Sequence, residues 1–233
     1  MNISRRLATG VASWLSFEYS CNRGNLFCEQ YLSQAIAQIL SSQYGGRVVA
    51  EHDHPILHKQ FEGRGKRPKI DFCVLDNGDE LTLALEAKWV GNTMPKIEDI
   101  VWDLIRLEML AAEYKCEAFF LLAGRNREIQ KLFNSKAFLE KRSNGKSSPI
   151  LKNGERKSGG IRLDVPPSTN RIKMFNKVLS KYPEIEMPTK LSSGGATFFP
   201  KECRNIDYQV YVWKVGTATP RRTFFAKEHK WYS

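Results

Sequence analysis

Residues 69–89 read KIDFCVLDNGDELTLALEAKW, two alternating apolar runs around the quartet Asp76, Asn77, Gly78 and Asp79. An Asn-Gly step between alternating runs is a strong hairpin signal. Side chains two apart on a strand share a face. Ile70, Phe72 and Val74 therefore fall on one face with Leu81, Leu83, Leu85 and Ala87. The opposite parity carries Asp71, Cys73 and Leu75 on the first run, and Thr82, Ala84, Glu86 and Lys88 on the second. Folding about the turn sets Asp71 opposite the Ala84/Glu86 region. One face is thus continuously apolar, and the other holds two carboxylates and an ammonium near the core. Buried charges are costly unless paired or bound to a metal.

Two adjacent carboxylates and a lysine suit a definite chemistry. Carboxylates held close repel, and a hard divalent cation such as Mg²⁺, which prefers oxygen ligands, relieves that repulsion. The cation acidifies a water and offsets charge on a phosphate oxygen, while a lysine orients that water or helps accept its proton. This set of groups fits phosphodiester hydrolysis. The plain alternative is an ordinary ion pair between Glu86 and Lys88 on a half-exposed sheet. A third acid lies upstream. Residues 25–42 read as a helix with Leu32, Ala35, Ile36, Ile39 and Leu40 on one stripe and Gly45-Gly46 as its stop. Glu29 falls within that stripe and needs a partner, for which the acidic hairpin face or its metal is the candidate.

Asp71, fourteen intervening residues, then Glu86-Ala87-Lys88, preceded by a helical Glu29, resembles the PD-(D/E)XK nuclease superfamily in its E-A-K form. The resemblance covers residues 25–124. It departs from the pattern before Asp71, where Ile70 stands and the nearest proline is Pro68. It implies a restriction-endonuclease-like α/β core: a central mixed sheet, antiparallel meander plus parallel crossover strand, flanked by helices. The surrounding sequence agrees with that order. Residues 47–52 suit the first meander strand. Pro95 suits a first helical position, with Glu98 and Asp99 in the first turn. Ile97, Ile100, Val101, Leu104, Leu107 and Ala111 recur at helical spacing, and 116–122 is an apolar run of strand length. Strand, helix and strand make a parallel crossover. By the same resemblance Asp71 and Glu86 ligate Mg²⁺, or Mn²⁺ in its place, with help from the Ala87 backbone carbonyl. Lys88 positions the attacking water, and Glu29 binds a second metal or orients water. The products carry 5′-phosphate and 3′-hydroxyl ends. The rival is a catalytically inactive nucleic-acid-binding or assembly module of the same fold.

The chain has 233 residues and a formal net charge of +11. A basic excess favours polyphosphate partners through counterion release, so DNA, or else RNA, is the expected substrate. The charge concentrates in 141–167, a Ser/Gly/Asn-rich stretch with Lys141, Arg142, Lys146, Lys152, Arg156, Lys157 and Arg162. It reads as a basic loop, of which Lys146, Lys152, Arg156 and Lys157 are candidate phosphate contacts. Arg125 and Arg127, after Gly124, are further ones.

One domain accounts for residues 1–233: the core, the basic loop, and a C-terminal strand-containing extension over 168–233. Residues 1–20 read as an amphipathic helix with Leu7, Val11, Trp14, Leu15 and Phe17 as its apolar members. Arg5-Arg6 precedes a run too interrupted for an export signal, and no stretch is long and apolar enough to span a membrane. The C-terminal part reads as a helix over 170–182 and strands over 196–199 and 208–215. Tyr211 and Trp213 lie on one side of the last strand, Val210 and Val212 on the other. The basic, aromatic tail over 221–231 is another candidate nucleic-acid contact. His52, His54 and His58, in EHDHPILHK, match no standard zinc spacing. Five scattered cysteines without a C-x-x-C pair point to reduced, buried thiols in the cytoplasm. No P-loop and no serine nucleophile elbow is present, so ATP-driven work or sequence specificity would come from a partner protein. Cutting both strands favours a homodimer. Phage defence, restriction, mobile-element movement and repair all fit such an enzyme.

Overall fold

The computed structural model describes residues 2–60, 67–141, 147–166, 169–216 and 222–228. Helix α1 (Ile3–Ser20) is capped by Asn2, whose side chain accepts from the Ser4 N–H. That satisfies one of the donors a helix start leaves orphaned. Leu7, Val11 and Leu15 are buried at i, i+4 spacing. Phe17 does not join them and is 62% exposed. Two residues past Leu15, it points about 200° around the helix from that stripe.

Helix α2 (Glu29–Tyr44) buries Leu32, Ala35, Ile36 and Leu40, and stops at Gly45 with φ of 65°. Glycine adopts that left-handed conformation without a Cβ penalty. The helix starts later than its apolar spacing suggests, because Gly24–Leu26 closes a separate 3-10 turn.

Strand β1 (Val48–Asp53), the short helix α3 (Leu57–Gln60), β2 (Lys69–Leu75) and β3 (Leu81–Val90) follow. β1 pairs antiparallel with β2, and β2 with β3, in the register Phe72↔Leu85, Cys73↔Ala84 and Val74↔Leu83. The Asp76 carboxylate accepts from the Gly78 and Glu80 N–H groups and closes the turn. Helix α4 (Ile97–Glu113) then leads to β4 (Glu117–Arg125), which runs parallel to β3 with Leu85↔Phe119. The meander and the parallel crossover are both present.

Helix α5 (Asn126–Phe133) and strands β5 (Leu139–Lys141), β6 (Ser147–Pro149) and β7 (Gly159–Arg162) come next. Helix α6 (Thr169–Leu179) and strands β8 (Glu186–Pro188), β9 (Lys190–Ser193), β10 (Thr197–Phe199), β11 (Tyr208–Val215) and β12 (Thr223–Phe225) complete the chain. The main sheet runs β1-β2-β3-β4-β11-β9-β7, with β10 also on β11. The β3/β4 pair is its one parallel pairing among the described residues. The C-terminal strands therefore extend the sheet, and β11 lies along the whole length of β4.

Helices cover both faces. Phe72, Leu85, Phe119 and Val210 pack with Leu7 and Ile36 in one core. Cys73, Ala84, Phe120 and Trp213 pack with Leu104 and Leu107 in the other. Tyr211 and Trp213 thus serve packing, with Trp213 fully buried. Two residues depart from simple alternation. Ile70 and Leu81 join the α4 core rather than that of Phe72; for Leu81, the register shifts between Val74 and Leu75.

The basic stretch is not simply a loop. It contributes β6 and β7, and Ile150, Leu151, Ile161 and Leu163 are buried. Isolated apolar pairs anchor it between its charges. Arg142 and Lys146 lie outside the described residues, as do parts of the tail. Cys73 and Cys116 are buried as expected, but Cys21 and Cys28 are exposed. No described helix is long and apolar enough to cross a membrane.

Candidate active site

Strand β3 lies between two helix layers, so its alternation divides its side chains between two cores. Leu83, Leu85 and Ala87 face α1 and α2, and Ala84 faces α4. Glu86 shares the parity of Ala84, and so does Lys88. Asp71 precedes Phe72, the partner of Leu85, and so arrives beside Glu86. Its Oδ2 accepts the Ala87 N–H at 2.8 Å, which pins β2 to β3 at this point.

Helix α4 supplies two further groups. Arg106 Nη2 lies 2.9 Å from Glu86 Oε1 and 2.6 Å from Asp103 Oδ1. Arg106 Nη1 donates to the Lys69 carbonyl at 2.7 Å. Lys88 Nζ lies 3.1 Å from both Glu29 Oε1 and Asp103 Oδ2, and donates to the Ala87 carbonyl at 3.2 Å. Glu86 therefore pairs with Arg106 and Lys88 with Glu29 and Asp103, not with one another as the plain ion-pair reading had it. Glu29 stands at the first position of α2, where a carboxylate is favoured by the helix dipole. Its side chain is half exposed, and its partner is Lys88.

The balance of the cluster is telling. Four carboxylates, Glu29, Asp71, Glu86 and Asp103, interact with two cations, Lys88 and Arg106. Two negative charges are left over when all are ionised. Glu86 is fully buried, and neither of its oxygens receives a directed hydrogen bond from the described residues. Arg106 is close enough for attraction, but its N–H groups are aimed at Asp103 and the Lys69 carbonyl.

Burial, followed by Asp103, pushes the Glu86 carboxyl well above its ordinary range. Burial also raises Asp71, opposed by Lys88 and the Ala87 N–H. For Lys88 burial works against the charge, yet Asp103, Glu29, Asp71 and Glu86 outweigh it and its pKa is raised. Lys88 is thus firmly an ammonium. It can donate to a water or a phosphate oxygen, but it is poorly placed to take a proton.

A cavity of about 440 Å³ opens over Glu29, Lys88, Met94, Trp102 and Asp103. Asp71, Glu86 and Arg106 are not among its lining residues; Arg106 reaches it through Asp103. A substrate would meet the Lys88 end first. Among the described residues no group of three or more His, Cys, Asp or Glu is gathered as a ready metal site. The donor set still fits a hard divalent cation. It offers the Glu86 oxygens, one of them 2.9 Å from Arg106, the Asp71 carboxylate and the Ala87 carbonyl, which also accepts from Lys88.

Asp103 and Arg106 carry a signal that the apolar spacing of α4 obscures. From Ile100 to Ala111 nearly every α4 position is buried. Charged residues one turn apart in such a helix must face partners inside.

The candidate phosphate contacts scatter. Arg125 ends β4, with its guanidinium carbon 5.9 Å from the Tyr19 ring centre and 5.7 Å from that of Tyr208. Arg127 is exposed and bonded to Glu128. Lys152, half buried, and the exposed Arg156 and Lys157 precede β7, which β4, β11 and β9 separate from β3. At ~4.8 Å per strand that is about 19 Å of sheet. They do not line the site, and Lys146 lies outside the described residues. His54 is fully buried, and burial, followed by Arg106, lowers its pKa to about 3. It is a neutral core histidine whose Nδ1 accepts the Leu57 N–H.

Compared with protein-family models, curated proteins and solved structures, the chain matches none.

Proposed function

We propose that this protein is a metal-dependent nuclease of the PD-(D/E)XK kind. The observation that carries this reading is the Glu86 carboxylate. It is fully buried beside Asp71, ion-paired with Arg106 at 2.9 Å but without a directed hydrogen bond among the described residues, and Lys88 of the same strand lines a cavity. An acid kept where its charge is disfavoured points to function rather than to packing. The helix, antiparallel meander, helix and parallel strand around it follow the order that the resemblance implies.

Asp71, Glu86 and the Ala87 carbonyl would hold Mg²⁺ or Mn²⁺. The cation would supply charge neutralisation at the phosphate and acidity for a water molecule. Lys88, as an ammonium, orients the attacking water or stabilises charge growing on a non-bridging oxygen. Asp103 and Glu29 hold Lys88 in place through its two 3.1 Å contacts. Arg106 prevents the metal-free site from flying apart by countering Glu86 and Asp103. The substrate is DNA in the first instance, with RNA as the alternative, cut to 5′-phosphate and 3′-hydroxyl ends. The net charge of +11 favours either polyanion.

A second reading draws on Arg106. Its guanidinium already sits 2.9 Å from Glu86, as a resident cation would in an inactive binding or assembly module. Cleavage of supercoiled and single-stranded DNA in Mg²⁺ and Mn²⁺, wild type against Glu86→Ala, separates the two. Metal-dependent cutting lost in the variant is expected. Tight binding without cutting by the wild type would support the module instead.

A further inference from the structure

A second cavity, about 890 Å³, adjoins the first and shares Trp89 with it. Small-ligand pockets span ~300–1,000 Å³. Its walls come from distant parts of the chain: Tyr19 at the end of α1, Phe27, Trp89 on β3 and Asn92 just after it, Arg125, and Tyr208 on β11. Tyr208 is the hub. Its ring centre lies 4.9 Å from that of Phe27, 5.5 Å from Tyr19 and 6.0 Å from Trp89. Tyr208 itself is buried, whereas Tyr19 is 48% exposed.

The backbone is shaped for these rings. A Cβ at Gly24 would lie 2.7 Å from the Tyr19 ring, and one at Gly91 would lie 2.5 Å from Trp89 Nε1. The cavity is cationic as well as aromatic. Arg125 sits alongside the Tyr19 and Tyr208 rings, 5.9 and 5.7 Å from their centres, and its Nε donates to the Tyr208 hydroxyl at 3.2 Å. The one carboxylate on the rim among the described residues, Glu128, is already engaged by Arg127 at 2.8 Å and Lys131 at 3.0 Å. It offers little repulsion to a phosphate.

We propose that this pocket binds an unpaired nucleobase of the substrate strand, stacked on Tyr19 and Trp89, with Arg125 at the adjoining phosphate. The assignment deepens the nuclease reading and rests on it for the kind of ligand. Aromatic faces bind any base by stacking, and a guanidinium among them adds backbone affinity. A paired base in a duplex cannot present its face to such a pocket without leaving the stack. The enzyme should therefore prefer single-stranded substrates or strands with an unpaired nucleotide next to the cut.

The test uses a fluorescein-labelled 12-nucleotide oligothymidylate and a 12-base-pair duplex, both bound by the Glu86→Ala protein in EDTA. Anisotropy should show tighter binding of the single strand. Adding Tyr19→Ala should weaken that binding roughly 10-fold or more, the effect of removing one stacking ring. Tyr19→Phe, which keeps the ring, should leave it near the parent value, and duplex binding should barely move. Unchanged single-strand binding in Tyr19→Ala would overturn the proposal. So would equal losses for both probes, or displacement of the strand by thymidine monophosphate at comparable concentration, which would make the ligand a free nucleotide. Failure of the nuclease reading looks different. A wild type that never cuts, with the Tyr19 dependence intact, would retain the base pocket and remove the chemistry.

Discussion

Replacing Glu86 by glutamine should destroy cleavage and yet stabilise the metal-free protein. The carboxylate is fully buried and lacks a directed hydrogen bond from the described residues. A buried charged acceptor left without a partner costs ~1–3 kcal/mol or more. Glutamine keeps the shape, removes the charge, and can donate its amide to the acids beside it. Arg106 loses its 2.9 Å neighbour but keeps Asp103 at 2.6 Å and the Lys69 carbonyl at 2.7 Å. The net gain should be about 1 kcal/mol, or ~2–4 °C in Tm for a chain of this size. The sign follows from linkage. The folded pKa of Glu86 is raised above 4.5, so the folded state favours the protonated acid. Its stabilising contribution is present at low pH and lost as the pH rises through the folded value. The advantage of glutamine therefore grows as the pH rises above the unfolded value and is larger at pH 8 than at pH 5. Thermal unfolding by circular dichroism in EDTA at both pH values measures it. Adding Mn²⁺ at ~100 times its Kd should raise the wild type by ~2.7 kcal/mol and leave the variant behind. A loss of ~1 kcal/mol or more in Glu86→Gln without metal would refute the reasoning. Glu86 would then be the structural partner of Arg106.

Two further outcomes test the surroundings of the site. Arg106→Ala leaves Glu86 and Asp103 buried with only Lys88 nearby, and should cost ~3–5 kcal/mol in urea unfolding; a loss below ~1 kcal/mol would remove Arg106 as their countercharge. His54 has its pKa lowered from 6.5 to about 3, so the unfolded chain binds its proton more readily. Its contribution holds above pH 6.5 and falls as the pH drops, by ~2 kcal/mol at pH 5. The gap between wild type and His54→Gln should shift by that much between pH 8 and pH 5, and a constant gap would contradict a neutral buried ring.

The hairpin, the helix before it and the crossover after it are legible in the sequence because each obeys one period over many residues. Residues 69–89 alternate apart from Ile70 and Leu81, and Ile97, Ile100, Val101, Leu104, Leu107 and Ala111 recur at helical spacing. Asp71, Glu86 and Lys88 follow from that parity, and Glu29 meets Lys88 as its lack of a partner suggested. The other half of the charge cluster was hidden. Asp103 and Arg106 sit in a helix buried almost all round, where an apolar stripe alone describes too little. Strand β7 has only four residues in a basic stretch, too few for periodicity to show. The aromatic pocket gathers Tyr19, Phe27, Trp89 and Tyr208, positions that no local pattern connects. Phe17 shows the converse error, since counting apolar residues near a stripe ignores the angle at which each one points.

The pairing of β11 with β4 also has a consequence in time. Arg125 and Tyr208, neighbours across that pair, are 83 residues apart in the chain. At ~5–20 residues per second, a ribosome takes roughly 4–17 s to make the intervening stretch. Throughout that interval the apolar edge of β4 has no partner strand, and α1 lacks part of the surface it packs on. The nascent chain is most exposed to aggregation then. It also cannot yet form the wall on which Trp89 and Arg125 lean. The proposed base pocket would thus stay incomplete until the last long strand has left the ribosome.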